Sequence, residues 1–192
     1  MRIFRYLLTF TLSFSFVFVA GCSDPKPDYS EFYKPQPGDE PEEPVNPGLD
    51  DNQLKVMSFN IRYSSGDDGA NSWDNRKQAV PAMFADQQPT VLGVQEARLD
   101  QKTYMDENCA GYKSIGVGRT DGQNAGEFMA IYYLDDAVKL EKWGTFWLSD
   151  TPDTPSIGWD ASTYRTATWA VFTHYKSGRK FFYVNTHIDH VG

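Results

Sequence analysis

Between Glu127 and Leu134 the chain reads Glu-Phe-Met-Ala-Ile-Tyr-Tyr-Leu, apolar at every position after the first. Alternate side chains of a strand point to opposite faces. Met129, Ile131 and Tyr133 would therefore line one face, and Phe128, Ala130, Tyr132 and Leu134 the other. A strand that is apolar on both faces has to be covered on both. Trp169 to Phe172 has the same two-sided character. Such strands need one layer above and one below. Helices on one side and a second sheet on the other meet that need, so the expected architecture is α/β, a two-sheet β-sandwich flanked by helices.

The rest of residues 53–192 supplies those layers. Leu54 to Ile61 and Thr90 to Val94 read as strands, and Ser64 to Asn75 as a polar loop. Asp74 or Asn75 can cap a helix that runs to about Gln87, with Ala79, Met83 and Phe84 on one face. Pro81 fits that helix only within its first turns. Leu99 to Glu107 reads as a short helix. Tyr112 to Val117, Glu127 to Leu134, Val138 to Leu148, Thr166 to Tyr175 and Lys180 to Thr186 read as strands. The Ser177-Gly178 pair between the last two is a hairpin signal.

The first 52 residues have a different composition. Arg2 and Arg5 precede an apolar run, Leu7 to Val19, which small residues separate from Cys22. That is the layout of a secretory signal, and the run is short for a membrane span. Val19-Ala20-Gly21-Cys22 resembles the bacterial lipobox, whose cysteine is acylated. Residues 1–21 are thus expected to be a lipoprotein signal peptide, and Cys22 the lipid attachment point. The expected location is exported and lipid-anchored, on an outer membrane, with membrane lipid as a partner.

Residues 23–52 hold seven of the 11 prolines and nine acids against two bases. A segment of that composition is extended and buries too little apolar surface to fold. It reads as a tether. It also takes most of the net charge of −8, leaving residues 53–192 at about −3. The domain carries no broad basic surface of the kind that drives non-specific nucleic-acid binding. Nucleic acid is therefore not the favoured substrate, and nothing points to a protein partner. Cys109 would have no intrachain partner beside an acylated Cys22. It reads as a packed thiol rather than a nucleophile, because Asp106 and Glu107 precede it.

Three strands end in polar residues. They are Val56-Met57-Ser58-Phe59-Asn60-Ile61-Arg62, Val91-Leu92-Gly93-Val94-Gln95-Glu96-Ala97 and Tyr183-Val184-Asn185-Thr186-His187-Ile188-Asp189-His190. Ligands of α/β sheets gather at the carboxyl ends of strands. A carboxylate with an amide beside it suits Mg²⁺, which takes one or two carboxylates plus waters and substrate phosphate.

Taken in order, Ser58-Phe59-Asn60-Ile61-Arg62, Gly93-Val94-Gln95-Glu96 and Asn185-Thr186-His187-Ile188-Asp189 resemble the motifs of the endonuclease/exonuclease/phosphatase family, to which deoxyribonuclease I belongs. Trp73, Arg76 and Phe146-Trp147-Leu148-Ser149-Asp150-Thr151-Pro152 resemble a bacterial branch of that family. The resemblance implies a four-layer αββα domain, present here in its front part only. It implies a metal-dependent hydrolase of phosphoric esters, acting on a small phosphate ester at the cell envelope.

By the same resemblance Glu96 would hold Mg²⁺, with Mn²⁺ as the alternative. Asn60 would assist the metal or orient water. His187 would contact the scissile phosphate, and Arg165 would bind it. Asp189 and His190 would orient His187 or touch substrate. His174 reads as a satisfied histidine in the sheet. The family's Gly-Asp-x-Asn strand end does not occur in this sequence, and no closing Asp-His pair follows the third motif. That departure implies a fragment with little activity of its own. The competing expectation is a non-catalytic surface lipoprotein that binds a glycan through Trp73, Trp147 and Trp159.

Overall fold

The computed structural model describes residues 52–189. The signal, the tether, Cys22 and His190 lie outside the described residues. Seven strands form two sheets. The first holds β1 (Val56–Asn60), β2 (Val91–Ala97), β3 (Tyr112–Ile115) and β4 (Phe128–Leu134) in the order β1-β2-β4-β3. Its β1–β2 pair is parallel, and the other pairs are antiparallel. The second sheet is an antiparallel meander of β5 (Val138–Trp147), β6 (Thr166–His174) and β7 (Lys180–Thr186).

The two faces of β4 carry the core. Phe128, Ala130 and Tyr132 meet Leu92 and Val94 of β2 and the apolar side of the helices. Ile131 and Tyr133, from the other face, meet Ala170, Phe172, Phe181 and Tyr183 of the second sheet. The helices are α1 (Trp73–Arg76), α2 (Ala79–Gln87) and α3 (Leu99–Asn108). Phe84 of α2 sits edge-on to Tyr132 at 5.5 Å and to Tyr112 at 4.8 Å.

The sequence pattern suggested one helix from Asp74 or Asn75 to Gln87; the chain makes two. Pro81 is the third residue of α2, where its missing N–H costs no intrahelical bond. Val80 and Phe84 are its buried residues, with Met83 at the margin of the core. The helices cover the first sheet only. Among the described residues no helix lies on the outer face of the second sheet, where Trp143, Phe182 and Val184 are exposed.

Candidate active site

Parallel pairing of β1 and β2 sends both carboxyl ends to one rim, with Asn60 in register with Gln95. Two local irregularities then aim the side chains. The β2–β4 register slips between Val94 and Ala97, and within that bulge Glu96 takes a left-handed backbone, φ 63°. A bulge re-aims the side chain it contains. Instead of following Leu92 and Val94 into the helix layer, Glu96 turns to the rim. There Asn60 Nδ2 donates to its Oε1 at 2.8 Å, and the Tyr63 N–H donates to its Oε2 at 3.3 Å.

Arg62, on the same rim, is left-handed too, φ 57°. Its N–H donates to Asn60 Oδ1 at 2.9 Å, so the Asn60 amide points its NH₂ toward Glu96. This turn is clamped from outside. Arg76 Nη1 donates to the Ile61 carbonyl and Nη2 to the Arg62 carbonyl, both at 2.6 Å. Gln101 Nε2 donates to the Arg62 carbonyl as well, at 2.8 Å. Burial pulls the Arg76 guanidinium below its usual range. Its planar fork still matches two adjacent carbonyls, which a lysine could not.

The third strand end arrives through a bond between the sheets. Asn185 of β7 is buried, and its Nδ2 donates to the Val94 and Ala130 carbonyls at 2.8 Å each. Gln95 Nε2 donates to its Oδ1 at 2.7 Å. Gly93 gives it room: a Cβ there would lie 2.7 Å from Asn185 Oδ1 and from the Tyr183 hydroxyl oxygen. Asn185 and Gln95 thus hold the second sheet on the first.

Two residues beyond Asn185, His187 Nε2 lies 4.0 Å from Glu96 Oε1. Burial holds the His187 imidazole below its usual range, and the Glu96 carboxylate opposes that shift. Among the described residues its buried Nδ1 has no hydrogen-bond partner.

Arg165 is buried beside this histidine. Its Nη1 donates to the His187 carbonyl at 3.5 Å, and its Nη2 lies 3.5 Å from Asp189 Oδ1. Asp189 also accepts the Ser162 N–H at 2.7 Å. Asn60, Glu96, His187, Arg165 and Asp189 are therefore on one rim. His174 is elsewhere, buried at the end of β6 with Nδ1 2.9 Å from the Ser177 hydroxyl. Cys109 is buried, and burial, aided by Asp106, pushes its thiol up to about 12.

Sequence reading missed a second ion pair here. Arg119 Nη1 lies 2.9 Å from Glu127 Oε2, with both side chains largely buried. Its charge helps to hold the His187 imidazole down. The only signal was a polar residue opening an otherwise apolar strand at Glu127. Trp73 and Trp147 are core residues, Trp147 Nε1 donating to the Arg119 carbonyl at 2.7 Å, so they form no exposed aromatic face with Trp159.

Among the described residues no group of three His, Cys, Asp or Glu side chains is placed to hold a metal. The donor set is one strand-end carboxylate with an amide beside it. That fits Mg²⁺, which keeps several waters and few protein ligands.

No family model matches the sequence. The chain is similar to a mannosyl-6-phosphatase of Bacteroides thetaiotaomicron, 40% identical with TM-score 0.70, covering 73% of this chain and 53% of that structure. It is also similar to an endonuclease/exonuclease/phosphatase of Bacteroides vulgatus, 39% identical with TM-score 0.71, covering 72% and 54%. An uncharacterised protein of Acanthamoeba polyphaga mimivirus is 25% identical over 146 residues, 71% of this chain and 54% of that protein. The chain spans about half the length of each. Over that half it has the mixed α/β, two-sheet fold of endonuclease/exonuclease/phosphatase proteins.

Proposed function

We propose that this chain is the front part of an endonuclease/exonuclease/phosphatase protein and carries the metal and phosphate-binding side of a phosphoric-ester hydrolase site. The observation that carries the reading is the meeting on one rim of Asn60, Glu96 and His187, from the ends of three strands, with Arg165, from the residue before β6. Its similarity to a mannosyl-6-phosphatase supports a small phosphate monoester as substrate.

Glu96 would hold Mg²⁺, or Mn²⁺ in its place. The metal, when bound, neutralises charge on the phosphate oxygens. Asn60 holds the Glu96 carboxylate in its rim-facing rotamer. Burial pulls the His187 imidazole down, which favours its neutral form with a single N–H to donate to a phosphate oxygen. Arg165 supplies a fixed cation, and Asp189 positions it. No base for the attacking water is visible in this set, so the chain alone would turn over substrate poorly. Acylation of Cys22 would place the domain at the cell envelope, with residues 23–52 as its tether.

Metal affinity tests the assignment. Glu96→Gln keeps the side-chain size and removes the charge. Isothermal titration of Mg²⁺ is expected to show at least a tenfold loss in this variant. Glu141→Gln is the control, because Glu141 faces Lys139 and Thr173 away from the rim. Equal affinity in the two variants would refute the assignment. Mass spectrometry of the mature N-terminus checks the lipid: a free Cys22 would refute the anchor.

A further inference from the structure

Residues 148–165, which join β5 to β6, hold the most exposed large hydrophobic side chain among the described residues, Trp159, at 73%. It is held at a defined place. Gly158 packs so tightly on the Leu148–Ser149 backbone that a Cβ would collide with the Leu148 carbonyl. The Ala161 N–H donates to the Gly158 carbonyl at 3.1 Å, closing a turn with Trp159 and Asp160 at its tip. One residue later Ser162 binds Asp189, through its N–H at 2.7 Å and its hydroxyl at 3.1 Å. Asp189 is the carboxylate that faces Arg165. Trp159 lies three positions before that anchor, a reach of at most about 10 Å.

Trp159 also has a left-handed backbone, φ 52°. For a bulky residue that conformation is disfavoured. Strain in the backbone and an indole in water both disfavour the fold. Among the described residues neither is offset by packing, the pattern of a residue kept for contact with a ligand.

The charge of the segment narrows the ligand. Asp150, Asp153 and Asp160 lie between residues 148 and 164, with no Lys or Arg. Such a segment repels a nucleic-acid backbone and an anionic membrane surface. A neutral, hydroxyl-rich ring suits it. The C–H face of a sugar lies on the negative face of the indole, and its hydroxyls can donate to Asp160.

We propose that Trp159 is a stacking platform for the sugar ring of a sugar phosphate monoester, whose phosphate reaches Arg165 and His187. This rests on the hydrolase reading above and names the leaving group of that site. The test is isothermal titration of the full chain with Mg²⁺, using inorganic phosphate, mannose 6-phosphate and adenosine 5′-monophosphate as probes.

Trp159→Ala is expected to weaken mannose 6-phosphate about tenfold and leave inorganic phosphate within twofold. Trp159→Phe should keep most of the sugar affinity. Both variants should melt with the wild type, because Trp159 packs on little. Equal losses for phosphate and sugar phosphate, or no loss for either, would overturn the platform and leave the hydrolase reading standing. So would a Trp159-dependent preference for adenosine 5′-monophosphate, which would make the platform a base stack. Failure of the wild type to bind any phosphate would overturn the hydrolase reading and the platform with it.

Discussion

Replacing Asn185 with alanine should both loosen the sandwich and disturb the rim. Asn185 makes three buried hydrogen bonds, to the Val94 and Ala130 carbonyls and from Gln95. Gln95 keeps weaker partners, the Ser58 hydroxyl and the Gly93 carbonyl, both at 3.2 Å. The two carbonyls lose a donor that no neighbouring side chain replaces. At about 1 kcal/mol net per bond the loss is about 3 kcal/mol. With a urea slope of about 1–3 kcal/mol per molar, the midpoint should fall by about 1–3 M.

Asn185→Asp is the sharper case. It has the same shape, but sets a carboxylate against two carbonyl oxygens, so it should be less stable than the alanine variant. Equilibrium urea unfolding followed by tryptophan fluorescence measures both. An alanine variant within about 0.5 kcal/mol of the wild type, or an aspartate variant above it, would refute the account of Asn185 as the bond between the sheets.

Gly93→Ala places a Cβ against the same asparagine and the Tyr183 hydroxyl. It should cost about 1–3 kcal/mol by overpacking, read in the same unfolding experiment. Arg76→Lys keeps the charge but loses the fork that holds the Ile61 and Arg62 carbonyls. Mg²⁺ affinity should fall along with the melting temperature, and a normal affinity would show that the turn holds itself.

Cys109 should resist iodoacetamide in the folded chain at pH 8 and react once the chain is unfolded in guanidinium, as peptide mapping would show. Its folded pKa is raised to about 12, against about 8.5 for a free thiol. The stability it contributes is therefore complete below about pH 8.5 and is lost as the pH rises toward 12.

Local features were legible from the order of the residues. Apolar residues on both sides of Phe128–Leu134 required two covering layers, and β4 is buried on both faces. Strand ends could be read because a polar residue interrupts an apolar run, as at Asn60, Glu96 and Asn185. Helix boundaries were less legible. Asp74 and Asn75 look like caps, yet the chain turns at Lys77 and Gln78, and Ser72 precedes the first helix. Tertiary packing around Trp73 outweighs the small capping preference there.

The tertiary structure alone decided which way the polar side chains face. Alternation along β2 would send Glu96 into the helix layer; a bulge and one left-handed residue send it to the rim. Asn185 sits in a strand-end motif together with His187. One is buried between the sheets and the other faces Glu96, because β7 ends between them. Arg119 and Glu127 meet only when the chain returns antiparallel on itself. Each of these depends on contacts between segments that sequence period does not link, and the outcome rests on register and backbone handedness.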